Sequence, residues 1–487
     1  MRPVRYVFLA ALCFVGPLAG PLAGPFAGSL AGSLALAAPP AATGPAGLSP
    51  SAIAARDDAR IAEQTYLYAY PLVLMDLTRR QDTNVNVGSS PDRGPANRFI
   101  HRAADTASGG DQSATEAARS RAWLDLEDGP IVLSLPDTRG RDYTLTLSDM
   151  WGDVIAVLGK RTTGTAARNL IVVPSGWAGT LPSNLATITA TTSYLRARLR
   201  VQTFGSGDSA QALEVQNTFA MTPLSAWQSS GQAVHMRADP GINMLTTPRE
   251  QIARMTPPEF FAYVADLLRR HAPHATDQPL IARMARLGIK PGQRLRPDDL
   301  TPTAQRALRM GAAAAQARLA QPATATPVVA GWRLPSATQG VYGNDYLTRA
   351  RAAWSGENGV SAEDEWRAVA VLDAAGEPLD GAHAYTLRFE ADALPPGLSG
   401  WSLRSAAADG TAIDGLRARL LTDRSPLVYN ADGSLDLVLQ SEPPAAGDTA
   451  NWLRLPTGST SVILHLFTAD ATAIDGAWTP PALVRAD

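Results

Sequence analysis

Cysteine is almost missing from this 487-residue chain, and the one copy, Cys13, lies in an N-terminal apolar run. Once that run is removed, no disulfide, thiol nucleophile or thiolate metal site can form. Lysine is nearly as scarce, occurring only at Lys160 and Lys290, so arginine carries the positive charge. With a net charge of -2 and no long block of one sign, a nucleic acid or an anionic membrane surface is not expected as a partner. No uninterrupted apolar run reaches the roughly 20 residues a bilayer demands, which argues against a stable membrane anchor. GxGxxG, P-loop, GxSxG and HExxH motifs are all lacking, so no cofactor is implied.

What is present begins with Arg2 and Arg5, the apolar stretch Tyr6 to Val15, and small residues ending in Ala35-Leu36-Ala37. This order is that of a signal peptide over 1–37, cut after Ala37, and implies a periplasmic or secreted protein. Four tandem copies of a Pro/Ser-x-Ala-Gly unit over 17–32 prolong it, and proline and glycine at that density cannot build a spanning helix. Residues 38–50 are rich in Ala, Pro and Gly and read as a disordered lead-in.

The hydrophobic share of 45% is enough for two ordinary cores. Ile53 to Arg80 has Ile61, Tyr66, Tyr70 and Leu74 near one helical face, with Pro71 expected to kink or break the helix. From Ala122 the period changes to two. "RAWLDL", "GPIVLSLPD" and "RDYTLTLSD" read as strands, with Tyr143, Leu145 and Leu147 facing one way and Asp142, Thr144 and Thr146 the other, the pattern of a half-solvated antiparallel sheet. Residues 51–250 therefore form a β-rich N-terminal domain with helices. A helical segment over 251–320 follows, opened by Thr256-Pro257-Pro258-Glu259 and again by Thr301-Pro302. Residues 321–332 read as a linker. In 333–487 the alternating strands "AYTLRFEA", "GWSLRSA", "SLDLVLQ" and "TSVILHLF" imply a C-terminal jelly-roll-like β-sandwich. The class is α+β, rich in strand.

Chemistry could gather just after the "RDYTLTLSD" strand, where Asp149, Trp151, Asp153 and Arg161 stand close together. An indole that stacks on a ring, beside charges that bond hydroxyls, would suit a polar ligand, and two carboxylates could act as acid and base. A solvated loop with a structural Arg-Asp pair is the plainer alternative. His271 and His274 are the only close pair among six histidines, but Pro273 breaks the spacing that would align two imidazoles on a metal. Asn430 to Asp436 looks like a calcium loop without its distal glutamate, and reads better as a turn. No metal site is expected.

Five stretches, "YAYPLVLMDLTR", "AWLDLEDGPIVLSLPD", "SDMWGDVIAVLGKRTTG", "QNTFAMTPLSAW" and "FFAYVADLLRRHAPHATDQPLIARMARLGIKPG", resemble the exported family called domain of unknown function 1254. "GVYGNDYLTRA", "LDGAHAYTLRF", "NADGSLDLVLQ", "TANWLRLP" and "DGAWTPP" resemble its usual C-terminal partner, domain of unknown function 1214. The resemblance implies two β-rich domains, the second like a jelly roll, with no assigned activity; roles in handling carbohydrate are suggested for the family by fold analogy alone. Relatives typically carry Pro-Asn-x-Asp-Thr-x-Tyr before the "AWLDL" strand. Alignment on Trp123 puts Ala114, Glu116, Ala117 and Arg119 at the Asn, Asp, Thr and Tyr positions, so any chemistry of that set is altered here. The resemblance adds Asp345, Tyr346, Arg349, Asn451 and Trp452 as binding candidates. The expected function is binding of a small polar ligand, a glycan or a cell-envelope component. The rivals are a carboxylate-dependent hydrolase or lyase and a structural protein that forms homo-oligomers through its sheet edges.

Overall fold

Between Gln64 and Leu77 nearly every position is apolar or aromatic, more than one helical face can hold. Such a helix has to be covered all round. In the computed structural model the segment lies in α1, Pro50–Thr83, where Tyr66, Leu67, Tyr68, Ala69, Tyr70, Leu72 and Val73 are all buried. The helix runs unbroken through Pro71, so of the kink or break read from sequence the break does not occur. A proline inside a helix removes one backbone hydrogen bond and presses its ring on the preceding turn, together costing about 3 kcal/mol, and the surrounding packing offsets it. The structure describes residues 50–486 except 86–91, 103–116, 204–207, 229–237, 322–327, 357, 409–419 and 445–448, and those described residues belong to one compact unit.

Strands β1 (Ile100–Arg102), β2 (Ala117–Asp125), β3 (Ile131–Leu135), β4 (Tyr143–Ser148), β5 (Val154–Gly159), β6 (Arg168–Val173), β7 (Ala186–Thr189), β8 (Tyr194–Gln202) and β9 (Ala220–Pro223) follow α1. They form two sheets, β1-β2-β8-β4-β5 and β7-β6-β3-β9. Leu124, Tyr143, Leu145, Leu195 and Leu199 of the first pack with Leu133 and Val172 of the second, so the alternation read from sequence does mark the core face. The opposite face is not solvated: Thr144, Thr146 and Ser148 are buried as well. It is covered by α1 and by the C-terminal part, which periodicity along one strand cannot reveal. Short helices α2 (Ser209–Gln216) and α3 (Leu224–Gln228) close this region.

Next come α4 (Pro248–Arg254), α5 (Pro257–Leu267), α6 (Gln278–Met284) and α7 (Pro302–Ala320), all packed on α1. Thr256 caps α5 through a reciprocal box with Glu259, and Pro257 takes the first helical position. Phe260, Val264, Leu267 and Leu268 are buried as their spacing requires. Replacing Thr256 by Ala is expected to cost about 1 kcal/mol in a urea melt, and Ser should restore most of it.

The C-terminal part comprises β10 (Val328–Val329), β11 (Trp332–Arg333), α8 (Tyr346–Ser355), β12 (Glu365–Ala370), β13 (Ala384–Phe389), β14 (Trp401–Ala407), β15 (Leu421–Thr422), β16 (Leu435–Gln440), β17 (Trp452–Arg454), β18 (Thr460–Phe467), α9 (Ala471–Ile474) and β19 (Val484–Ala486). Its sheets, β10-β11-β12-β18-β14-β15 and β17-β16-β13-β19, face each other across Leu387, Leu403, Leu437, Leu464 and Trp366. Residues 328–332, the end of the expected linker, are already part of the first hairpin. Helix α8 leaves this sandwich and packs on α1, so elements from three stretches of chain meet there.

Candidate functional site

The loop joining β4 to β5 is built around Asp149. Its carboxylate accepts from the backbone N–H of Trp151 at 2.9 Å and of Asp153 at 3.1 Å, which turns the chain tightly and leaves Gly152 at a φ of 88°. The other oxygen accepts from Thr191 Oγ1 at 2.9 Å and meets His274 Nε2 at 2.7 Å. Asp153 accepts from Tyr342 N–H at 2.9 Å and from Arg349 Nη1 at 2.9 Å, with His274 Nδ1 at 3.6 Å. A third carboxylate, Asp277, accepts from the Tyr346 hydroxyl at 3.0 Å and from His274 N–H at 3.2 Å. Three carboxylates, one guanidinium and one imidazole thus share a small volume.

An aromatic wall lines that volume. Trp151 is fully buried, stacks on Tyr68 at a centroid distance of 4.5 Å and donates from Nε1 to the Ala272 carbonyl at 3.2 Å. Arg349 is also fully buried, its Cζ 5.3 to 5.8 Å from the Tyr346, Tyr68 and Trp151 rings. Two of its donors, Nε and Nη2, have no acceptor among the described residues, and the buried Tyr68 hydroxyl faces Asp277 without a close hydrogen bond. His274, with its side chain 21% exposed, is where the cluster reaches solvent.

Burial raises the Asp153 pKa against the pull of Arg349. The Tyr346 phenol is pushed up to about 12, first by burial and then by Asp277. Two histidines three residues apart move in opposite directions. Burial pushes His271, with neither ring nitrogen partnered, down to about 4, although the Asp76 charge pulls the other way. Burial also opposes charge on His274, but the hydrogen bond to Asp149 and the charges of Asp149 and Asp153 outweigh it and raise the pKa above 6.5. The unfolded chain binds a proton on each near pH 6.5. Neutral His271 therefore stabilises the fold above that pH, and about 3 kcal/mol is lost as the pH falls toward 4. Charged His274 stabilises below pH 6.5, and its contribution is lost as the pH rises through its folded value. In urea melts from pH 4 to 9, His271→Phe should gain on the wild type at the acid end, whereas His274→Gln should lose most there.

The atoms of Asp149, Asp153 and His274 lie within 4.8 Å of one another, close enough for a shared cation. The donor set does not favour one: Asp149 is already saturated with donors, and a cation on Asp153 would lie against Arg349. His271 takes no part, packing edge-on to Tyr194.

Of the residues singled out in the sequence, Asp149, Trp151, Asp153, Tyr346 and Arg349 come together. Asp345 instead caps α8 through Thr348 N–H. Arg161 makes a bidentate pair with Asp364 at 2.9 and 3.1 Å, joining the β5 end to the C-terminal sandwich. The side chain of Asn451 bonds the backbone of Val428 and Asp436, and Trp452 bonds the Gln440 carbonyl, all within the sandwich. In the Asn430 to Asp436 turn, Asp432 and Asp436 pair with Arg388. Ala114 and Glu116 lie outside the described residues, while Ala117 and Arg119 belong to β2. Asp277 escaped sequence reasoning; Tyr68, read with Tyr66 and Tyr70 as core or pocket lining, and His274, read only as half of a pair with His271, were not placed beside Asp149, since no local pattern links them to residues scores of positions away.

The family model described as "Protein of unknown function (DUF1254)" matches residues 96–223, and "Protein of unknown function (DUF1214)" matches 365–471. The chain carries DUF1254 and DUF1214, in that order. Asp149, Trp151 and Asp153 fall inside the DUF1254 match, but His274, Asp277, Tyr346 and Arg349 fall between the two matches. The VPA0106 protein from Vibrio parahaemolyticus is 19% identical, with a TM-score of 0.66 over 88% of this chain and 100% of its own, which shows a shared fold. An uncharacterised protein from Burkholderia cenocepacia is 11% identical, with a TM-score of 0.40 over 89% of this chain and 95% of its own. No curated protein matches the DUF1254–DUF1214 chain. No helix among its described residues is long and apolar enough to cross a membrane.

Proposed function

We propose that this DUF1254–DUF1214 protein is exported and binds a polar, hydroxyl-bearing ligand, such as a carbohydrate or cell-envelope component, where the β4–β5 loop, the 274–277 turn and α8 converge. One observation carries the reading: Arg349 holds two buried donors, Nε and Nη2, with no acceptor, beside the carboxylates. Buried polar groups are nearly always satisfied, so unspent donors beside unspent acceptor capacity suit a ligand's hydroxyls. The leader supports export. A thermal-shift screen against sugars and oligosaccharides tests the site, because a ligand of the native state raises the melting temperature. Tyr68→Phe removes only the buried hydroxyl near Asp277 and should abolish the shift while lowering the ligand-free stability by no more than about 1 kcal/mol. No shift with any sugar, or the same shift in the variant, would reject the reading.

A hydrolase or lyase is the second reading, favoured by the 2.7 Å contact of His274 with Asp149. An imidazole oriented by a carboxylate and open to solvent can serve as a general base. Turnover unchanged in Asp149→Asn would eliminate it.

A further inference from the structure

The outer face of the β1-β2-β8-β4-β5 sheet is crowded with arginine. Arg119 stands directly opposite Arg200, Arg121 opposite Arg198, and Trp123 opposite Arg196. Like charges directly across a strand pair are destabilising, and this face is covered, where the low dielectric makes the repulsion worse. Two carboxylates offset it in part: Glu365 at 3.7 Å from Arg119 and Asp82 at 3.5 Å from Arg121. Among the described residues Arg196 and Arg198 make no ion pair; Arg196 Nε is buried without an acceptor, and Arg198 has one long contact, 3.4 Å to the Gly356 carbonyl. Arg200 Nε and Nη1 are likewise buried and unaccepted. The local field is strongly positive. Burial pushes Glu365 up, yet Arg367, Arg119, His465 and Arg200 outweigh it and hold the carboxyl well below its usual range.

A cavity of about 270 Å³ opens beside Arg196 and Arg198, with Leu74, Met75 and Ala353 as apolar walls and Arg249 at its side. Asp82 also reaches it, but its oxygens are engaged by Trp123 Nε1 at 3.1 Å and by Arg121. The walls therefore present a surplus of guanidinium. Guanidinium forks match the two oxygens of a carboxylate or phosphate, and such charge-assisted bonds are about twice as strong as neutral ones.

We infer that this cavity binds a small organic oxyanion, its carboxylate or phosphate held by Arg196 and Arg198 and its apolar body set against Leu74, Met75 and Ala353. This site is separate from the Asp149 cluster. The bound anion supplies the negative charge the arginine face lacks, and binding stabilises the fold.

Melting curves of the purified protein in benzoate, citrate and inorganic phosphate, matched in ionic strength with sodium chloride, test it. At least one oxyanion should raise the melting temperature by about 2 °C or more over chloride. Arg198→Gln should melt no lower than the wild type without anion, because it removes one of two facing like charges, and should lose the anion response. Arg196→Gln gives the same test if that variant does not fold. Response to benzoate or citrate but not phosphate would identify an organic acid, and response to phosphate alone a phosphoryl ligand. Tyr68→Phe should keep the response, which separates this site from the sugar-binding reading. The inference is overturned if no oxyanion exceeds chloride, or if the response survives both arginine substitutions.

Discussion

Arg349→Met should destabilise the protein by about 3 to 5 kcal/mol near neutral pH, the usual result of removing one partner of a buried ion pair. Methionine keeps much of the side-chain volume, so the loss reports charge rather than a cavity. Arg349 is fully buried and its Nη1 lies 2.9 Å from Asp153. Without it Asp153 shares a low-dielectric volume with Asp149 and Asp277. Since burial already raises the Asp153 pKa, removal of the cation should raise it further, and the deficit should shrink as the pH falls and Asp153 takes up a proton. Urea melts at pH 5 and pH 8 measure this. The double variant with Asp153→Asn should recover much of the loss, because neither charge is then left alone. A single-variant cost below about 1 kcal/mol would mean that the cluster holds its charges by solvation rather than by pairing.

Gly311→Val should cost about 3 kcal/mol or more by the same measurement, at the severe end of overpacking. Glycine inside a helix is ordinarily a loss of up to about 1 kcal/mol against alanine, so α7 carries one at 311 for a reason of packing. A Cβ there would stand 2.5 Å from Ala62 Cβ, 2.5 Å from the Glu63 nitrogen and 2.7 Å from the Ala59 carbonyl oxygen of α1. Two of those three atoms are backbone, which no rotamer change can clear. Even Gly311→Ala should lose more through this clash than it gains in helix propensity. A gain in stability for Ala would show that α1 and α7 can move apart freely.

The pH behaviour of His271 and His274 shows how little of the chemistry a sequence displays. Three residues apart in the chain, the two imidazoles differ because one faces Tyr194 with no polar partner and the other faces Asp149 and Asp153. That they would titrate in opposite senses depends on residues about 120 positions away. The alternation along Tyr143 to Ser148 similarly identified the face that packs on the second sheet. It could not tell that the threonine face is buried too, because period two says which residues share a side, not what lies over it.

The sequence by itself determined the longer strands around 122–148 and 384–467, the caps at Thr256 and Thr301, the two β-rich domains in order, and the nearness of Asp149, Trp151 and Asp153. These follow from interactions between residues a few positions apart, where period, turn chemistry and capping act. Only the tertiary structure decided that Tyr68, His274, Asp277, Tyr346 and Arg349 complete that cluster, that Arg161 serves instead as a pairing partner of Asp364, and that arginines from β8 and α4 line one cavity. Burial and Coulomb energies depend on distance in space rather than along the chain, so they take their values only when α1, the sheet and α8 have closed on one another.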